Sequence, residues 1–185
     1  MKRVSQSGRS MIEMLGVLAI VGILTVGGFS LVTKVNTSNQ VNTVIDEISS
    51  LALKVRVIAR DYPGANGDMT EYVYNGRAYP DSLSYASTVF TGGSDVDYKV
   101  YYYHTNASLF IIQASNLNTE MCMEVLTSNW GSPSTNGFMG ITLGEAVSDS
   151  NTLEGIFNGR SSSAIDIGTA TNNCGDDKTV QLIYR

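Results

Sequence analysis

Between Glu13 and Lys34 the chain runs for twenty residues without a charge, MLGVLAIVGILTVGGFSLVT. As a helix such a run is about 30 Å long, which matches the hydrocarbon thickness of a bilayer. A stretch that is apolar on every side finds cover in lipid or among other apolar helices, not on the surface of a small domain. Lys2, Arg3 and Arg9 precede it, and the positive-inside rule keeps that end in the cytoplasm and sends the remainder outward. A single-pass topology is therefore expected. The run exceeds the usual signal-peptide core, and no A-x-A site follows it.

Charge divides the chain in the same way. Residues 1–60 carry a net charge of +4 and residues 61–185 a net charge of −9. The acidic part lacks the clustered cations that a phosphate-tracking surface needs, so no nucleic-acid partner is predicted. With 185 residues there is room for one compact domain and a small appendage. The two cysteines, Cys122 and Cys174, both fall in the acidic part. In an exported chain they predict one disulfide closing a loop of about fifty residues; in a cytosolic chain they would be two reduced thiols.

Glu13 stands at the edge of the apolar run, where an ionisable side chain is expensive and marks a function with a partner. A plain membrane anchor and a leader removed before the apolar stretch are the two readings to separate. The stretch GRSMIEMLGVLAIVGIL resembles the signature of type IV prepilins. It has a short basic leader ending in Gly8, a new N-terminus at Arg9 and an acid five residues into the mature chain at Glu13. Ala19, Ile20, Gly22, Ile23 and Leu24 also fall where that family keeps similar residues. The first mature residue departs from the family's usual Phe or Met, which bears on methylation of the new amine rather than on cutting after Gly8. The likeness is strong over roughly the first thirty residues and one of layout beyond them.

What the resemblance implies is a structural subunit of a type IV pilus-like extracellular filament. The precursor would sit in the bacterial inner membrane, single-pass with its N-terminus cytoplasmic, be cut by prepilin peptidase, and be drawn by an assembly platform and its ATPase into a helical homo-oligomer. The product would be an extracellular pilus, used for adhesion, conjugation or motility. In a staggered bundle of such helices Glu13 of one copy meets the Arg9 amine of its neighbour. At about 4 Å and an effective dielectric near 20 the pair gains roughly 4 kcal/mol before desolvation, while a copy out of register leaves a charge buried and unpaired. Glu13 would thus set the register. A minor pilin or a type II secretion pseudopilin would use the same machinery, whereas a membrane-anchored periplasmic binding module would never polymerise.

Beyond Lys34 the apolar spacing turns helical. Val41, Val44, Ile45, Ile48, Leu51, Ala52, Val55, Ile58 and Ala59 recur at intervals of three and four. No proline interrupts 14–62, and Pro63-Gly64 ends the pattern, so one rod over 9–61 is expected, apolar over 11–33 and amphipathic over 34–61. Residues 62–185 form the head. Within it, 61–95 reads as a loop with turns or a short helix. DYKVYYY at 97–103 and SLFIIQA at 108–114 read as a hairpin turning at His104. Asn118 or Thr119 caps a short helix bearing Cys122, FMGITL is a candidate strand, and 179–184 closes as a final strand. A long N-terminal helix packed on an antiparallel sheet, with a disulfide-tied C-terminal region, is the α+β layout of the pilin family, the type IVb class above all.

Nothing in the chain recommends catalysis. Its one histidine, His104, sits in a polar turn, and there is no phosphate loop or dinucleotide fingerprint. Two cysteines and one histidine lack zinc spacing. Gly175-Asp176-Asp177 offers adjacent carboxylates of the kind that bind Ca²⁺, but two acids in a turn are ordinarily solvated. No metal and no cofactor is expected. Alternation sends Tyr102 to one face of its strand and Tyr101 and Tyr103 to the other, which favours packing over an adhesive face.

Overall fold

The computed structural model describes residues 7–63, 67–103, 109–144 and 165–185, and within the first of these the side chains of 14–19 and 38–63. The chain divides into two compact units, Met1–Asn39 and Gln40–Arg185. Helix α1 is assigned over Ser7–Ala59 and so contributes to both.

The second unit is mostly an antiparallel sheet of seven strands with short helices. In chain order its elements after α1 are β1 Gly67–Asp68, α2 Thr70–Asn75, β2 Ser84–Ala86, β3 Val89–Thr91, β4 Asp97–Tyr103, β5 Leu109–Leu117, α3 Thr119–Thr127, β6 Phe138–Leu143, α4 Ile167–Asn173 and β7 Lys178–Tyr184. The sheet order is β2-β3-β4-β5-β7-β6, with β1 paired to β4 off that path. β4 and β5 pair in the register Tyr98↔Ala114, Val100↔Ile112, Tyr102↔Phe110, and β5 pairs β7 through Ile112↔Leu182 and Ala114↔Val180. The last strand thus lies inside the sheet, and β6 holds the edge.

Period-two alternation on these strands sorts the side chains. Tyr98, Val100, Tyr102, Phe110, Ile112, Ala114, Val180, Leu182 and Tyr184 belong to the main core, which they share with α1, α2, α3 and α4. Tyr101, Tyr103, Ile111 and Ile183 form a second cluster, with Met139 against it. The tyrosines of β4 are therefore all packed. Asn118 caps α3 as its side chain accepts from the Met121 N–H at 2.9 Å, leaving Met121, Cys122, Val125 and Leu126 facing inward.

Two expectations from sequence are corrected by this architecture. The first is the fold class. The second unit is dominated by the sheet, and the helical stretch that packs on it is residues 40–59, not a long N-terminal rod. Its buried side chains, Val41, Val44, Ile48, Leu51, Ala52, Val55 and Ala59, form a one-sided stripe that a sheet can cover. By its sequence the uncharged run before it has no polar side to set against an apolar one. Residues 67–91, read from sequence as a loop with turns or a short helix, supply a short helix, α2, and also the strands β1, β2 and β3. These pieces are too short to show a period and exist because they pair with β4 or with each other.

The second correction is the membrane span. Among the described residues no helix is long and apolar enough to cross a membrane. The single-pass inner-membrane anchor, and the localisation built on it, are accordingly not supported.

Candidate functional site

The residues singled out at the N-terminus, Gly8, Arg9 and Glu13, lie on the backbone of α1, while the side chains of Arg9 and Glu13 fall outside the described residues. Directly after them, every described side chain from 14 to 19 is exposed. Met14 and Leu15 keep 67% of their surface in contact with solvent, Val17 and Leu18 61%. Consecutive exposed apolar side chains leave no polar face on this turn and a half of helix, and such a surface calls for a partner.

The cysteines come together as expected in an exported chain. Cys122 on α3 and Cys174 at the end of α4 are joined, with S–S at 2.02 Å, Cα atoms 5.7 Å apart and a sequence separation of 52. The bond lashes α4 to α3, and Asp166 starts α4 by accepting from the Thr169 N–H at 3.0 Å and from its hydroxyl at 2.6 Å. These two hydrogen bonds, the side-chain one foremost, hold the Asp166 carboxyl below its ordinary value.

One charged group of α1 is buried. Glu47, only 3% exposed, lies on the sheet-facing stripe of α1 between Val44 and Leu51. Its Oε2 accepts from the Tyr98 hydroxyl at 2.8 Å and its Oε1 from the Gly93 N–H at 3.2 Å. A side chain at Gly92 would run into this carboxylate, so the turn between β3 and β4 comes close to α1 only because that position is glycine. Burial first, then the charge of Glu47 and the hydrogen bond to it, push the Tyr98 hydroxyl far above the ordinary tyrosine range. Tyr98 is therefore a permanent donor. The arrangement clamps α1, the β3–β4 turn and β4 together, and with both oxygens engaged by donors it is built to hold rather than to react. A signal was present in the sequence: position 47 lies three residues after Val44 and four before Leu51, on the apolar stripe itself.

Elsewhere the candidate ligands are dispersed. His104 falls outside the described residues. Asp176 accepts from the Thr119 hydroxyl at 3.1 Å, and Asp177 lies in a turn at φ 57°. Among the described residues no group of three or more His, Cys, Asp or Glu side chains is placed to hold a metal ion. A groove of about 320 Å³ opens between residues 45–56 of α1 and the loop after α3, bordered by Ile45, Leu53, Arg56, Trp130, Asn136 and Tyr184. Trp130 is fixed there by its indole N–H, which donates to the Val125 carbonyl at 2.7 Å. No protein-family model, no curated protein and no solved structure matches this chain.

Proposed function

We propose that this chain is the structural subunit of a type IV pilus-like extracellular filament, cut by a prepilin peptidase between Gly8 and Arg9 and polymerised through its N-terminal segment. The observation that carries the reading is the exposed apolar surface at 14–19 immediately after Glu13. An assembly of identical copies covers that surface with itself, and the carboxylate at its border selects one stagger by meeting the Arg9 amine of the neighbour. The Cys122–Cys174 bond adds support, since structural disulfides persist in oxidising surroundings. The chain itself catalyses nothing in this scheme. A peptidase, an assembly platform and an ATPase act on it, and the acidic body becomes the outer surface of the fibre.

Glu13→Ala tests the assignment. Removing the carboxylate is expected to abolish fibres seen by electron microscopy while the thermal unfolding of the body, residues 40–185, stays where it was. Fibres of normal number from Glu13→Ala, or none from the unaltered chain in cells that hold the assembly machinery, would refute it.

A further inference from the structure

One wall of the groove beside Trp130 is a single face of α1. Ile45, Ser49, Ala52 and Arg56 line it at intervals of three and four, the spacing that brings helical side chains to one side, and Leu53 stands at its edge. The opposite wall, the loop after α3, is held in place by its own hydrogen bonds. Besides the indole bond to Val125, the Asn136 side-chain amide donates to the Trp130 carbonyl and accepts from the Phe138 N–H at 3.2 Å. A preformed cleft of about 320 Å³ lies at the small end of the range that small ligands occupy.

Two polar groups on these walls have nothing to bind. Of the described residues that line the groove, Arg56 alone is charged. Asp46 and Glu47 follow Ile45 in sequence but are not on the wall, and Glu47 is turned against Tyr98. Gly137 leaves room for the half-buried guanidinium: a side chain there would meet the Arg56 Nη2 at 2.8 Å and the Arg185 carbonyl oxygen at 2.5 Å. No described residue forms a hydrogen bond or an ion pair with that guanidinium. Tyr184, only 3% exposed, stacks on Phe110 with ring centroids 5.4 Å apart and meets Phe138 edge-on at 5.6 Å. Its hydroxyl has no acceptor among the described residues, yet no fully enclosed side-chain oxygen among them lacks a partner, so this oxygen opens onto the groove that the residue lines. Burial pushes the hydroxyl above the ordinary tyrosine range, which leaves it a donor at neutral pH.

We propose that this groove binds a small carboxylate with an apolar body, its carboxylate held by the Arg56 guanidinium and the Tyr184 hydroxyl and its body between Leu53 and Trp130. The donors choose the ligand. An unpaired guanidinium presents a planar fork that matches a carboxylate, and a second donor without an acceptor stands on the same groove. Neither group offers anything to a cation. The rest of the lining is chiefly Ile45, Ala52, Leu53 and Trp130, which an inorganic anion would leave in contact with water and an alkyl or aryl body would cover. The site belongs to the body, residues 40–185, and holds whether or not the chain polymerises.

Trp130 is the chain's one tryptophan, so its fluorescence reports the groove directly on the full-length protein. Titration with 4-phenylbutyrate is expected to change the emission saturably, with half-saturation in the millimolar range or below. The uncharged 4-phenylbutanamide, equal in size, should bind about tenfold more weakly, and Arg56→Gln should weaken the carboxylate by about the same factor. Tyr184→Phe should weaken it about fivefold, and Arg56→Lys should fall between the unaltered chain and Arg56→Gln. Since neither side chain has a partner to lose, Arg56→Gln and Tyr184→Phe are expected to unfold near the unaltered midpoint. No saturable change, an equal response to the amide, or an Arg56→Gln chain that binds as before would overturn the proposal. Emission that varies with protein concentration alone, and ceases to do so in Arg56→Gln, would overturn it too by placing a second copy in the groove.

Discussion

Opening the Cys122–Cys174 bond is expected to lower the stability of the body by about 4 kcal/mol. The bond closes a loop of 52 positions, and the chain-entropy relation for a loop of that length gives approximately that figure. The loop takes in β6 and leads through α4 into β7. The unfolded chain thus gains most of its freedom where the sheet takes its last two strands. Cys122 is fully buried, so the double variant Cys122→Ala, Cys174→Ala avoids placing a new polar group in the core. Its thermal midpoint should fall by roughly 10 °C relative to the oxidised protein, and dithiothreitol should move the unaltered protein to nearly the same midpoint. A loss under about 1 kcal/mol would mean that α3 and α4 hold each other without the bond.

Glu47→Ala is expected to cost about 3 kcal/mol. Truncation orphans the buried Tyr98 hydroxyl and the Gly93 N–H, and an unsatisfied buried polar group costs roughly 1 to 3 kcal/mol before any cavity is counted. Tyr98→Phe removes one donor and should cost about 2 kcal/mol. The pair Glu47→Leu, Tyr98→Phe deletes both sides of the hydrogen bond, and its cost should fall clearly below the sum of the single changes. Urea unfolding of the four proteins checks this, and strict additivity would remove the clamp from the account. The same node sets an alkaline limit. Unfolded, the Tyr98 hydroxyl ionises near its ordinary value of 10.0; folded, it does so far higher. Its contribution is therefore complete below pH 10 and is lost as pH rises above that toward the folded value. Tyr184, raised by burial alone, adds a loss of the same sign. Stability should fall above pH 10, and less steeply in Tyr98→Phe.

Legibility in the sequence followed how far each signal is local. The stripe from Val41 to Ala59 has a period of its own, and its members are buried as that period requires, Ile45 and Ile58 partly. The strand at Asp97–Tyr103 and the Asn118 cap were similarly readable, because alternation and a capping side chain each act within a few residues. Strands β1, β2 and β3, two or three residues long, carry no period, and their existence depends on partners far along the chain. The role of Glu47 was not readable, because its partners, Gly93 and Tyr98, lie 46 and 51 residues away. Which part of the helical pattern a sheet covers was not readable for a different reason: an unbroken pattern carries no sign of it, and residues 40–59 are the part that packs on the sheet. Gly8, Arg9 and Glu13 stood out through a motif alone, since the contacts they are proposed to make belong to other copies of the chain.

The central claim is that this chain becomes a fibre through a segment freed by cutting after Gly8. The intact mass of the subunit recovered from sheared, purified fibres tests it most directly. A chain beginning at Arg9, with the run after Glu13 retained and the mass two hydrogens lower for the Cys122–Cys174 bond, is the predicted result. A subunit that still begins at Met1, or one that begins beyond Ala19, would contradict it.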